Sequence, residues 1–167
     1  HKALVEARLK NSESVYDILN LLVHSDIFYT SLFTDHNTNR AKGVACTDTL
    51  FGIAGIVNEM LVYSDRSTIE LFPALSSRIP KGKVCGLMTR AGVRIDSLEW
   101  CINTGTEGLK TDTKDGFYIR LKITALRETE FGLILKNENF NEMSKEDKSL
   151  FNQNIKLKSG EEYAILL

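Results

Sequence analysis

Cysteine is scarce and unpatterned in this chain. Cys46, Cys85 and Cys101 are odd in number and no pair has CxxC spacing, so neither a closed disulfide framework nor a zinc site is indicated and buried free thiols are the expectation. No apolar run approaches the roughly 18 residues that a membrane helix needs. Neither charge is in excess: 21 Lys and Arg stand against 22 Asp and Glu, for a net charge of -1. No basic stripe is therefore available to neutralise phosphates, and neither nucleic acid nor a membrane is an expected partner. The first residues carry no signal-peptide pattern. They are helix formers from His1 through Leu9 with no cap before them, so the chain is expected to begin in mid-helix and to continue something longer. Location is left open between a bacterial cytoplasm and export.

What is present is ordinary for a globular protein: 43% hydrophobic and 26% charged residues in a chain of 167, enough for at most two structural units. The first third reads as helices. Val15, Ile18, Leu19 and Leu22 share one face of a helix that can start at Asn11 or Ser12, and Ile53, Ile56, Val57, Met60 and Leu61 repeat the pattern in a second. That second helix begins close to Asp48 and Thr49 and is expected to run to about Tyr63. Between the two lies a polar stretch, Ser25 to Thr47, longer than a simple helix connection.

From Thr68 onward short apolar runs alternate with turn residues. Thr68 to Phe72, Val84 to Met88, Gly92 to Asp96, Ser97 to Trp100, Phe117 to Ile123, Glu130 to Leu135 and Tyr163 to Leu167 are strand candidates, punctuated by Pro73, Pro80, Gly82, Gly105, Gly108, Gly116 and Gly160. Such strands argue for a β-sandwich. Asn137 to Asn154 reads as an extended loop with one short helix near Lys145 to Leu150. The change from helical to β pattern falls near Ser64 to Ser67.

Several segments in order carry a resemblance. They are Leu32-Phe33-Thr34-Asp35-His36, Asp48-Thr49-Leu50-Phe51-Gly52, Ile69-Glu70-Leu71-Phe72-Pro73-Ala74-Leu75, Val84-Cys85-Gly86-Leu87 leading to Arg90-Ala91-Gly92, and Leu98-Glu99-Trp100. Together, over about residues 26 to 100, they resemble the end of the family 95 glycoside hydrolases, the α-L-fucosidase family. The resemblance implies a mixed fold: residues 1–66 as the last helices of an (α/α)6 catalytic barrel, and residues 67–167 as an antiparallel C-terminal β-sandwich. It implies a parent enzyme that hydrolyses terminal α-L-fucosyl, or in some relatives α-L-galactosyl, linkages of an oligosaccharide or glycan with inversion and without a cofactor. In that scheme a glutamic acid protonates the leaving oxygen, and an asparagine polarised by an aspartate orients the attacking water. Inverting chemistry separates its two groups by roughly 6.5–9.5 Å to admit that water.

Of these groups only the aspartate falls here. The resemblance puts Asp48 at its position and His36 at that of a substrate-binding pocket histidine. Thr49 and Leu50 stand where the family has Gly and Asn, a Pro-Pro-Phe segment after the histidine is absent, and the loop to Asp48 is longer. A changed specificity or an inactive relative is left open by these departures. Without the resemblance, Asp48 reads as a helix N-cap contributing about 1 kcal/mol, and His36 as a solvated loop histidine. Asp35-His36-Asn37 lacks a second histidine and is not read as a metal site. Glu59 reads as a surface or paired residue, Trp100 as a sandwich core residue, and Arg90 and Arg94 as solvent-facing.

The isolated chain is expected to be inactive, since the acid and the asparagine lie upstream in the family's order. It is also expected to self-associate through the apolar faces of residues 1–66. Two other readings stay open: an autonomous structural or carbohydrate-binding accessory module, and a helical-barrel relative such as a maltose-type phosphorylase.

Overall fold

A computed structural model describes residues 1–25, 47–102, 118–140 and 143–166, excluding the side chains of residues 47–50. Three helices come first: α1 (Lys2–Arg8), α2 (Ser12–His24) and α3 (Thr47–Leu61). Asn11 caps α2, its side-chain oxygen accepting from Ser14 N at 3.3 Å, so the helix starts where the sequence places it. Just ahead of it, α1 ends in a Schellman turn, with Lys10 N donating to Ala7 O and Asn11 N to Glu6 O. The left-handed position of that turn, at φ 61°, is held by Lys10 in place of the usual glycine.

α3 passes directly into β1 (Val62–Ser64), which folds back on β2 (Thr68–Leu71). There follow β3 (Lys81–Val84), β4 (Leu87–Met88), β5 (Val93–Cys101), β6 (Tyr118–Ala125), β7 (Thr129–Leu135), a 3-10 turn (Glu138–Phe140), α4 (Lys145–Leu150), β8 (Gln153–Leu157) and β9 (Glu162–Leu166). One sheet has the order β1-β2-β7-β8, the other β3-β5-β6-β9 with β4 added on β5.

The expectation of antiparallel pairing needs one correction: β2 and β7 run parallel. Between them the chain visits the other sheet and returns, and such a crossover, unlike a hairpin, can bring a strand back in the same direction. Four strand readings also change. Where one strand was expected over Val84 to Met88 there are two, Lys81–Val84, which takes in Gly82, and Leu87–Met88. Val62–Ser64 leaves the helix to pair with β2. Val93–Cys101 is one strand where two were expected, its register shifted between Ile95 and Ser97. Gln153–Leu157 is a strand on β7, where a loop was expected to reach Asn154.

Both sheets feed one core. Ile69, Leu71, Phe131, Leu133, Ile155 and Leu157 from the first sheet are buried in the same cluster as Val93, Ile95, Leu98, Trp100, Ile119, Leu121 and Ile123 from the second. Trp100 is 4% exposed, donates from Nε1 to Ile79 O at 3.1 Å and meets the edge of Phe72 at 5.3 Å. Its ring also covers Gly82, where an added Cβ would come within 2.4 Å of it. Of the thiols, Cys101 is buried but Cys85 is exposed beside the Gly86 turn, against the expectation for it; Cys46 lies outside the described residues. Arg90 and Arg94 face solvent as read. The helices keep large apolar side chains in water, with Val5, Leu9, Leu21, Val23 and Phe51 all more than half exposed. No helix among the described residues is long and apolar enough to cross a membrane.

Candidate functional site

Asp48 lies in the first turn of α3. Its side chain, and the whole of His36, lie outside the described residues. What the structure does display is how α3 is held. Its apolar face supplies Ile56, Met60 and Leu61 to the core. Glu59 points to α1, where its two carboxylate oxygens accept from Arg8 Nε and Nη2, each at 2.6 Å. Such a bidentate pair is directional and holds the two helices in register. Glu59 is eleven residues beyond Asp48 on the same helix, about 16 Å along the axis at 1.5 Å per residue, too far for the two carboxylates to flank one bond.

The last carbonyls of a helix have no partner within it. In α3 those of Met60 and Leu61 are taken by the segment after β2: Phe72 N donates to Leu61 O at 2.7 Å and Ala74 N to Met60 O at 3.2 Å. This geometry requires Phe72, a fully buried residue, to take a left-handed backbone at φ 55°, which costs a non-glycine residue about 1–2 kcal/mol. Its ring offsets that cost, packed between Trp100 and Phe140, the latter stacked at 5.2 Å. Two asparagines complete the arrangement. Asn137 Nδ2 donates to Phe72 O at 2.7 Å and to Leu75 O at 3.0 Å, while Asn139 Nδ2 donates to Leu75 O at 2.8 Å.

Lys10 and Phe72 are the positive-φ residues other than glycine among those described, and both stand where helices meet sheet. Lys10 Nζ reaches Glu70 on β2 at 2.6 and 2.9 Å, and the Glu70 side chain is only 9% exposed. A groove of about 290 Å³ runs here, lined by Arg8, Lys10, Glu59, Tyr63, Glu70 and Pro73. It continues into one of about 500 Å³ that shares Lys10, Glu70 and Pro73 and adds Asn137 and Asn139. The charged groups of the smaller groove neutralise each other pairwise, Arg8 with Glu59 and Lys10 with Glu70. They serve as ties between elements and leave no carboxyl acid poised against a base. Among the described residues no three His, Cys, Asp or Glu side chains cluster to hold a metal.

Glu59 is paired, one of the two readings its sequence position allowed, but the other ties escaped a reading of the sequence. Phe72 before Pro73 signals an interrupted helix or strand but not a left-handed residue. Asn137-Glu138-Asn139 looks like any polar turn, since its partners lie more than 60 residues earlier.

No family model matches the chain. Alpha-L-fucosidase 2 of Arabidopsis thaliana is 36% identical to it over 110 residues, covering 59% of this chain. The aligned stretch spans 12% of the plant protein's length. The similarity relates the chain to a fucosidase and supports a glycosidase-related origin.

Proposed function

We propose that this chain is the C-terminal part of a glycoside hydrolase of the family 95 type, which releases terminal α-L-fucosyl or α-L-galactosyl groups from glycans with inversion. In this reading α1 to α3 are the last helices of an (α/α)6 barrel and the two sheets, from β1 onward, a β-sandwich that buttresses it. Helices preceding these cover the apolar faces that Val5, Leu9, Leu21, Val23 and Phe51 present here. The observation that carries the proposal is the 36% identity to a fucosidase. Its geometric support is a 15-residue helix with Asp48 in its first turn and its other end tied into the sheets.

The chemistry follows from what an inverting site needs. Asp48 accepts a hydrogen bond from an upstream asparagine amide and so strengthens that amide's carbonyl as an acceptor for the attacking water. An upstream glutamic acid protonates the departing oxygen on the opposite face. Asp48 is thus one component of a site whose acid lies elsewhere in the protein, and the isolated chain has no turnover. His36 contacts the sugar.

The test is hydrolysis of a chromogenic α-L-fucoside and of an α1,2-fucosylated oligosaccharide by the full-length gene product containing this chain. Asp48→Asn lowers kcat by about 10²–10⁴-fold, the usual contribution of a general acid or base, while circular dichroism stays that of the wild type. A wild-type protein inert on both substrates, or an Asp48→Asn variant as active as wild type, sinks the reading.

A further inference from the structure

We propose that Asn137, seconded by Asn139, is a positioning residue that sets α3, and through it Asp48, in the reacting geometry; this rests on the reading of Asp48 just given. The segment Phe72 to Leu75 follows β2 and has lost the support of its ladder. The backbone oxygens of Phe72 and Leu75 find their partners in the two asparagine side chains, and Asn137 Oδ1 in turn accepts from Asn139 N at 2.9 Å. Both amide bonds of Asn137 and its carbonyl oxygen are therefore committed, so the side chain has one orientation. With its carbonyl held, Phe72 keeps the left-handed turn that points its N–H at Leu61 O, and Ala74 N reaches Met60 O. The asparagines, which follow β7, thereby hold the last turn of the helix that carries Asp48.

A helix transmits such a constraint along its whole length because its own hydrogen bonds make it stiff. Thr47–Leu61 is 15 residues, about 22 Å at 1.5 Å per residue. Slippage by one residue at its C-terminal end would advance Asp48 by about 1.5 Å and turn it by about 100°. A misplacement of about 1 Å at a reacting centre costs on the order of 10²-fold in rate. Loosening the clamp therefore acts on turnover more than on substrate binding, which the parent protein's other residues share.

The experiment uses the full-length gene product, with the chromogenic fucoside as probe, at a temperature well below the melting point of each variant. Asn137→Ala is expected to lower kcat about 10–100-fold with KM changed less than about two-fold. Asn139→Ala, which removes one of the two amide bonds to Leu75 O, lowers kcat by less and keeps the fold if Asn137→Ala does not. Amide exchange at the two ends of α3, read by mass spectrometry, quickens in both variants while exchange in β5 and β6 stays unchanged. Folded variants with wild-type kcat, or losses that only track the unfolded fraction, overturn the proposal. When Asp48→Asn abolishes turnover and the asparagine variants do not, the clamp fails alone; when Asp48→Asn is active, the underlying reading fails with it.

Discussion

The helices and the sheets of this chain are held by different forces. The two sheets close over a continuous apolar core in which Phe72, Ile95, Leu98, Ile119 and Leu121 are almost wholly buried. The helices contribute Ala3, Ala7, Val15, Ile56, Met60 and Leu61 to that core and leave Val5, Leu21, Val23 and Phe51 in water. Beside this apolar contact they are fastened by polar ties: Lys10 to Glu70, Arg78 of the β3 approach to Glu13 and Asp17 of α2, and Ser76 Oγ to Glu13 at 2.6 Å. Arg78 also lies over the Tyr16 ring at 4.0 Å, an arrangement worth about 0.5–1 kcal/mol at an exposed site. Burial of apolar area is strong and undirected, whereas ion pairs and carbonyl bonds are weak but fix orientation. The sheets therefore supply stability and the junction supplies geometry, the division expected of a support that must hold a helix at one angle.

The contrast is broken most forcefully from the sheet side. Trp100→Ala removes a ring that contacts Phe72, shields Gly82 and satisfies Ile79 O, and is expected to cost about 3–5 kcal/mol. Urea unfolding followed by circular dichroism checks it. A loss below about 1 kcal/mol would mean that the sheets do not depend on this contact and that the core is not the dominant element.

At the junction the expected effect is smaller and can be reversed. Lys10→Met strands the Glu70 carboxylate, 9% exposed, without its partner, at a cost of about 1–3 kcal/mol. Lys10→Met combined with Glu70→Leu recovers most of that loss, since no buried carboxylate then remains without a partner. If the double variant is no better than the single one in thermal melts, the pair is not a mere tie and the groove beside it needs the carboxylate itself.

Legibility followed the same division. Period and capping sufficed for local elements: Asn11 as the α2 cap and the short helix Lys145–Leu150 were visible because each depends on neighbours in sequence, and Trp100 was legible as core because burying so large a ring stabilises most. β1 was hidden because Val62-Tyr63-Ser64 continues the apolar spacing of α3, and only its pairing with β2 makes it a strand. β8 carried a signal, the alternation of Ile155 and Leu157 with Asn154 and Lys156, masked by the polar stretch before it. The bonds that make the junction join residues about 60 apart, Lys10 with Glu70 and Asn137 with Phe72. No local pattern encodes such pairings. Of the candidate site, the helix with Asp48 in its first turn was legible, and His36 lies outside the described residues.

The smallest effect tests whether polar ties matter within the sheets as they do at the junction. Asp96 stands at the register shift of β5, its Oδ2 accepting from Thr124 Oγ1 and its Oδ1 from Arg94 Nε, each at 2.6 Å. The Thr124 hydroxyl first, and then Arg94, hold the Asp96 carboxyl below the usual carboxylate range. A carboxyl depressed by folding adds stability above its unfolded pKa and loses it as pH falls through the folded value. Asp96→Asn should therefore be less stable than wild type near neutrality, by under about 1 kcal/mol given the exposure of Arg94. The gap should close as the pH falls below about 4. Melting temperatures from pH 7 down to pH 3 decide it. A gap independent of pH would mean that the charge of the Asp96 carboxylate is not what stabilises, and the bonds from Thr124 and Arg94 would then contribute nothing beyond the core that surrounds them.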